Sequence, residues 1–178
     1  ILACTGRLRE GKGHEQLIRA LASFEQAAWL PPWELRITGS GPMFQYLLDV
    51  AKEVGVESHL AFLGGQEAKV VLPDCDMLIA PAEHGEGCSM SILEAWTMEL
   101  PVICSDSMAH QEIATDGKDA LFFQNGSPED LAAKMLTLCK DSHLRDHLVT
   151  GGKLALEDYT HSVMASAYQD IYRRILLQ

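Results

Sequence analysis

Positive charge is scarce in this 178-residue sequence: 14 Lys and Arg stand against 25 Asp and Glu, a formal net charge of −11. Such a chain lacks the basic surface that non-specific nucleic-acid binding needs. It also lacks the basic face that holds a protein to anionic lipid. Long apolar runs are missing too. The longest, such as Met77 to Ala82, fall far short of the roughly 20 residues that span a bilayer, so no transmembrane segment is expected. Cysteines at metal or redox spacing are absent. The five cysteines, Cys4, Cys75, Cys88, Cys104 and Cys139, are odd in number and contain no C-x-x-C pair, which argues against a disulfide framework or a zinc site. Cys4 and Cys104 sit in apolar runs and read as small core residues; reduced thiols fit a cytosolic setting. The sequence does not open on Met. Ile1 to Thr5 already reads as a buried strand, with no signal peptide before it, so the expectation is a piece excised from a longer protein. Repeats, low-complexity stretches and internal linkers are not found.

What is present is 47% hydrophobic and 22% charged, the profile of one soluble globular α/β domain able to bury a core without staples. Short apolar runs predict strands at about 1–5, 34–38, 59–63, 77–80, 101–105 and 120–124. Helical periodicity falls between them, with Leu17, Ile18, Leu21 and Phe24 on one face after the first strand and Pro31-Pro32 ending that helix. Further helices are expected at about 43–54 (stopped by Gly55), 67–72, from the loop at 83–89 to about 99, and near 109–114. Stretches at about 128–140, 142–151 and 160–177 complete the chain. Strands apolar along most of their length and alternating with helices indicate a doubly wound parallel six-stranded sheet covered on both faces, Rossmann-like in type. Ligands of such sheets bind beyond the carboxyl ends of the strands. The loops to watch are therefore Gly6 to Gly13, Gly39 to Pro42, Gly64-Gly65, Glu83 to Ser89 and Asp106 to Gln111.

Gly6-Arg7-Leu8-Arg9-Glu10-Gly11-Lys12-Gly13 leaves a strand and enters a helix. Flexible backbone, helix-end amides and cations are what a diphosphate requires. By itself the segment also reads as a solvated turn with ordinary surface Lys and Arg. It matches neither a G-x-G-x-x-G nor a P-loop pattern. The second constellation, Glu83 to Ala95, leaves the fourth strand. Ser89 is a candidate N-cap, which would aim the amides of Met90, Ser91 and Ile92 outward toward an anion. Glu86 and Glu94 could each accept hydrogen bonds from a hydroxyl pair; the plainer reading is a surface charge and an exposed helix residue. Asp74-Cys75-Asp76 spells a metal-binding D-x-D, but it precedes its strand and reads as a structural turn; no metal is expected. Met90, Met98 and Met135 read as core filler.

Glu86, seven residues, then Glu94-Ala95 resembles the E-x7-E motif of retaining GT-B glycosyltransferases, especially family 4 (group 1). Gly6-Arg7-Leu8 with Lys12-Gly13, Ile37-Thr38-Gly39-Ser40-Gly41-Pro42, Phe62-Leu63-Gly64, Asp76 to Pro81, Leu100-Pro101-Val102-Ile103 and Glu112-Ile113 with Asp116-Gly117 resemble that family's further motifs in the same order. The resemblance implies the donor-binding half of a GT-B fold, one nucleotide-sugar-binding domain over residues 1–178 whose N-terminal acceptor domain is absent. The helix within 160–178 would pack back on that missing domain. It implies a hexosyltransferase-type enzyme that moves a sugar from a nucleotide diphosphate sugar to an acceptor hydroxyl with retention, in polysaccharide biosynthesis. Arg7 and Lys12 would grip the diphosphate as it leaves, Glu86 would touch the donor sugar and Glu94 the ribose. Met90 and Ser91 would meet phosphate through their amides. Gly6, Gly64, Gly87, Cys88 and Ser89 would complete the donor site, with 62–66 near the base. No cofactor or metal is implied. The acceptor, a saccharide or a lipid-linked one, would be held by the missing half, so the fragment alone is expected to be inactive. The setting implied is cytoplasmic, with room for peripheral contact at the inner membrane face through that half. Two departures stand out. Cys88-Ser89 replaces the family's Phe-Gly, putting a side chain where glycine lets backbone approach the donor, and Ala109-His110 replaces a Gly-Gly. The alternatives are a binding module without catalysis and another GT-B enzyme, such as a sugar-nucleotide epimerase or a phosphorylase.

Overall fold

A computed structural model describes residues 1–84 and 87–177. Strands β1 (Leu2–Thr5), β2 (Leu35–Thr38), β3 (Leu60–Gly64), β4 (Met77–Ala80), β5 (Val102–Ser105) and β6 (Leu121–Phe123) form one sheet in the order β3-β2-β1-β4-β5-β6. Every neighbouring pair is parallel. The chain winds outward from β1 to β3, then returns to start β4 beside β1. That reversal opens a crevice above β1 and β4, where the connecting helices diverge to opposite faces.

The helices are α1 (His14–Phe24), α2 (Phe44–Val54), α3 (Ala68–Val71), α4 (Met90–Thr97), α5 (Met108–Gln111), α6 (Pro128–Lys140), α7 (Ser142–Leu156) and α8 (His161–Leu176). Their ends follow local chemistry. Gly55 takes the left-handed conformation at φ 79° and closes α2 through bonds from its N–H to Ala51 and Lys52. Ser127 Oγ accepts from the Asp130 amide and Pro128 opens the first turn of α6. Asp141 and Thr160 cap α7 and α8 in the same way.

Alternate strand residues feed two cores. Leu2, Cys4, Leu35, Ile37, Met77, Ile79 and Ile103 pack with Leu17, Leu21, Leu47 and Met135 on one face. Ala3, Leu78, Ala80, Val102 and Cys104 pack with Ile92, Trp96 and Leu72 on the other. Burial on both faces is why the central strands read as continuous apolar runs.

Three expectations are corrected. The helix expected to end at Gly151 runs on to Leu156. Gly151 and Gly152 are not a stop signal but a point of close approach. A Cβ on Gly151 would lie 1.9 Å from the Lys118 carbonyl oxygen, and one on Gly152 would lie 2.3 Å from the Trp96 ring. Met90 is not core filler: it is exposed, whereas Met135 is fully buried. Ser89 is the N-cap residue of α4, as expected; what is corrected is the side-chain capping bond, which it does not make.

α8 buries none of its residues. Met164, Tyr168, Ile171, Tyr172 and Ile175 are all exposed along it, at spacings that put them on one face. Among the described residues no helix is long and apolar enough to cross a membrane.

Candidate functional site

The loops leaving β1, β2 and β4 are locked together through glycines. Gly13, at φ 69°, starts α1 and lies against β4's exit: a Cβ there would stand 1.7 Å from the Pro81 carbonyl oxygen. A Cβ on Gly39 would meet the Gly6 carbonyl oxygen at 1.9 Å, and one on Gly41 the Leu8 carbonyl oxygen at 2.2 Å. No other residue permits these approaches, and the left-handed φ at Gly13 adds its own penalty for a side chain. Gln16, buried in α1, finishes the lock. Its Nε2 donates to the Pro81 carbonyl at 2.6 Å and its Oε1 accepts from the Gly126 amide at 2.9 Å. The amides of Glu83 and His84 both donate to the Gly11 carbonyl, at 2.9 and 3.3 Å.

Above these loops lies a cleft of about 420 Å³ lined by Arg7, Lys12, Gly65, Gln66, Cys88, Met90, Ser91 and Glu94, with Thr5, Gly6, Thr38, Gly39 and Ala68. Its volume suits a small molecule. Cations from the loop after β1 face the first turn of α4, where backbone amides and the helix dipole favour an anion. Gly6 has open space where a side chain would point. Glu94, one turn into α4, is half-buried, and that burial raises its pKa above the ordinary glutamate value. A carboxylate so placed gains by accepting hydrogen bonds that replace lost water.

The cleft thus brings together Gly6, Arg7, Lys12, Cys88, Met90, Ser91 and Glu94, drawn from segments far apart in sequence. Gly64 is one residue off the wall, where Gly65 stands instead; its carbonyl accepts from the Gly39 amide at 2.5 Å. Gly87 is described and exposed but is not part of the lining. Glu86 lies outside the described residues. The Asp106 to Gln111 loop does not line the cleft; there α5 turns His110 fully inward. Asp74-Cys75-Asp76 precedes β4, at the opposite end of the sheet from the cleft. A groove of about 290 Å³ at that end, lined by Phe24, Pro31, Trp33 and Asp76, shares no residue with the cleft.

Ser89 resolves its own departure from the family pattern. Its side chain is turned away from the cleft, 1% exposed, with Oγ 3.0 Å from Ser91 Oγ. It lines a small cavity behind the cleft, with Thr5, Lys12, His14, Ser91 and His110. Ser89 itself is not among the residues that line the cleft. His110 Nδ1 lies 2.9 Å from Ser105 Oγ and 3.1 Å from the Ser105 carbonyl oxygen. The Ser105 hydroxyl donates its one proton to the Ala82 carbonyl, so the hydrogen between Ser105 and His110 belongs to Nδ1.

Sequence reasoning placed 62–66, which includes Gln66, near the base, but did not find Thr5, Thr38 and Ala68 on the wall, or Gln16 beneath it. Thr5 and Thr38 close strands whose carboxyl ends face the crevice, so topology was the available signal. Gln16 offered none, since its burial depends on partners in other segments.

The doubly wound sheet with its cleft at the β1/β4 reversal is the donor-side half of the GT-B glycosyltransferase architecture. A structure of Anabaena Alr3699/HepE in complex with UDP superposes with a TM-score of 0.83 at 20% identity, covering 99% of this chain and 48% of that one. The C-terminal domain of the group 1 glycosyl transferase LpcC from Francisella tularensis superposes at 0.76 with 23% identity, covering 88% and 83% of the two chains. The chain belongs to the glycosyl transferases group 1 family, whose model matches residues 1–155. One relative is the lipopolysaccharide core biosynthesis glycosyltransferase LpsE of Rhizobium meliloti, 28% identical over 170 residues, covering 94% of this chain and 48% of the relative. The chain spans about half the length of such relatives.

Proposed function

We propose that this domain binds the donor of a retaining glycosyltransferase, a nucleotide diphosphate sugar, and that the whole protein transfers the sugar to an acceptor hydroxyl. The observation that carries the reading is the cleft itself: Arg7 and Lys12 on one wall, the start of α4 on another, and Glu94 beyond it. The diphosphate lies between the cations and the α4 amides of Met90 and Ser91. The ribose hydroxyls donate to Glu94, and the base rests on the Gly65–Gln66 backbone. The E-x7-E pattern, rather than geometry, assigns Glu86 to the donor sugar.

Glycosyl transfer breaks the bond between the anomeric carbon and the diphosphate oxygen, and negative charge builds on the departing phosphate. Groups already aimed at that charge stabilise the transition state more than the ground state. Arg7, Lys12 and the α4 amides are such groups, and in this reading they stand where a metal ion would otherwise neutralise the leaving group. The acceptor comes from the other half of the protein. The apolar face of α8 packs against that half, which explains a helix that buries nothing here. Relatives such as LpsE act in lipopolysaccharide core biosynthesis by name, and a saccharide or lipid-linked saccharide acceptor is the reading carried over. We place the reaction on the cytoplasmic side, where free thiols persist, in contact with the inner membrane face only through the other half.

Steady-state transfer by the full-length protein from a panel of UDP-, GDP- and ADP-sugars, with the anomeric product read by NMR, tests this function. Transfer with an α product from an α donor supports it; an inverted product refutes retention.

A further inference from the structure

α1 begins behind the cleft without a side-chain cap, because the residue before it is Gly13. His14, the first residue of that helix, is 3% exposed. Among the described residues, neither of its ring nitrogens has a hydrogen-bond partner. A neutral imidazole carries one N–H donor and one acceptor, and a buried donor left unpaired costs stability. The ring lies on the wall of a recess of about 10 Å³, with Thr5, Lys12, Ser89, Ser91 and His110. Thr5, Lys12 and Ser91 also line the cleft, so the recess and the cleft share a wall. The recess has room for about one group the size of a water.

We propose that this recess is a single-oxygen site at the back of the cleft, where the His14 ring N–H donates to one non-bridging oxygen of a bound diphosphate. This rests on the donor-binding reading above and adds to it a contact that neither the motifs nor the charge pattern assigns.

The chemistry of the walls selects the occupant. They are rich in donors: the His14 N–H and the hydroxyls of Thr5, Ser89 and Ser91. Ser89 Oγ and Ser91 Oγ lie 3.0 Å apart, so one donates to the other and the acceptor keeps its own hydrogen for the occupant. α1 starts here as well, and the amides of a first helical turn have no acceptor within the helix. No carboxylate is among the described residues of the lining, so nothing there repels an anion. An oxygen that only accepts, as in a phosphate, fits such a set. His14 meets it without a charge of its own. Burial first, and the Lys12 charge second, lower its pKa to about 4, and the neutral ring still holds one N–H. The contact therefore needs no change of protonation and no free charge on Lys12. It extends the line of donors from the cleft into a place where water is excluded and each hydrogen bond counts for more.

The test uses the full-length protein, carrying nitrogen-labelled histidine, with UDP, GDP and ADP at millimolar concentration. Long-range proton–nitrogen NMR spectra at neutral pH read both ring nitrogens of His14, assigned through its backbone signals. With a nucleotide that shifts the Gly65 and Gln66 amides, the protonated nitrogen of His14 should move while the other keeps the shift of an unprotonated one. Beside this, His14→Phe should weaken that nucleotide by about tenfold or more, the scale of a hydrogen bond to a charged group. His14→Gln, which keeps an N–H donor, should lose less. Denaturant unfolding of each variant separates this loss from damage to the fold, and if neither variant folds the wild-type spectra decide alone. A recess that holds only a water makes the opposite forecast: the cleft amides respond while both His14 nitrogens stay put. That result, protonation of both nitrogens, or wild-type affinity in a folded His14→Phe overturns this inference and leaves the donor site standing. No response at the cleft with any of the three nucleotides overturns both.

Discussion

Gly13 lies so close to Pro81 that a Cβ at residue 13 would stand 1.7 Å from the Pro81 carbonyl oxygen. This contact ties the loop carrying Lys12 to the strand that leads into α4. The loop carrying the cations is thus held by backbone contact against the exit of β4, the kind of preorganisation that electrostatic stabilisation of a leaving group requires.

Gly13→Ala should accordingly damage both fold and site. The left-handed backbone and the collision with a backbone oxygen give the new methyl no place to go, and a loss of about 1–3 kcal/mol is expected. Chemical denaturation of the variant should show it, and nucleotide affinity should fall with it. Wild-type stability and affinity would mean that the loop yields where it looks rigid.

Gly151→Ala probes the overrun of α7 independently of the site. A Cβ there meets the Lys118 carbonyl oxygen at 1.9 Å, and relieving that clash requires the helix to move off the Trp96 side of the core. Thermal unfolding should show a loss of about 1–3 kcal/mol, a drop of roughly 2–4 °C in Tm per kcal/mol for a domain of this size. Nucleotide binding at low temperature should survive.

Much of this was legible in the sequence, and what was not has identifiable causes. Strands such as Met77–Ala80 were readable because both their faces are buried, and Gly55 was readable as a helix stop because only a left-handed residue closes α2 in that way. The Gly151-Gly152 pair carries the same local signal as Gly55, yet its role is set by the Lys118 carbonyl and the Trp96 ring, which are close only in the fold. In the site, Arg7, Lys12 and Glu94 could be named from their motifs. The inward turns of Ser89 and His110 could not, since each depends on which side of a loop the neighbouring strand leaves open. His14 and Gln16 sit among the polar positions of an amphipathic helix, and sequence pattern assigns such positions to solvent.

Cys88 offers a chemical probe of the cleft. It is exposed on the cleft wall, whereas Cys4, Cys75 and Cys104 are buried. Iodoacetamide should modify Cys88 faster than those three, and saturating nucleoside diphosphate should slow that modification. Peptide mapping by mass spectrometry reads both. Labelling of Cys88 unaffected by a nucleotide that binds would place the nucleotide elsewhere.

Glu94→Gln should separate stability from function. Burial raises the Glu94 pKa, so its ionisation costs the folded state; the stability involved is present below the ordinary glutamate range and lost as pH rises through the raised value. At neutral pH the amide should leave the domain as stable as wild type or slightly more so. If Glu94 holds the ribose as proposed, donor binding should weaken, because the ribose hydroxyls would lose a charged acceptor. In the full-length enzyme this appears as a raised KM with kcat largely spared, as loss of uniform binding does. In the proposed reading Glu86→Gln and Lys12→Ala should instead lower kcat, by about 10²-fold or more, since that reading assigns both to charge that develops during transfer.

In the proposed reading, residues 1–178 alone should turn over no sugar nucleotide onto any acceptor, because that reading assigns acceptor positioning to a further domain. Product analysis after long incubation with UDP-, GDP- and ADP-sugars checks this, and turnover by the purified fragment would show that the acceptor site lies within residues 1–178.

The most direct measurement of the central claim is calorimetric titration of this domain with UDP, GDP and ADP, without added metal, in wild type and in Arg7→Ala and Lys12→Ala. The account predicts millimolar or tighter binding of at least one nucleotide, weakened by salt through screening of the charge pairs and weakened again by either substitution. Binding that neither substitution nor salt reduces, or no binding of any of the three by the domain and by the full-length protein, would contradict the donor site described here.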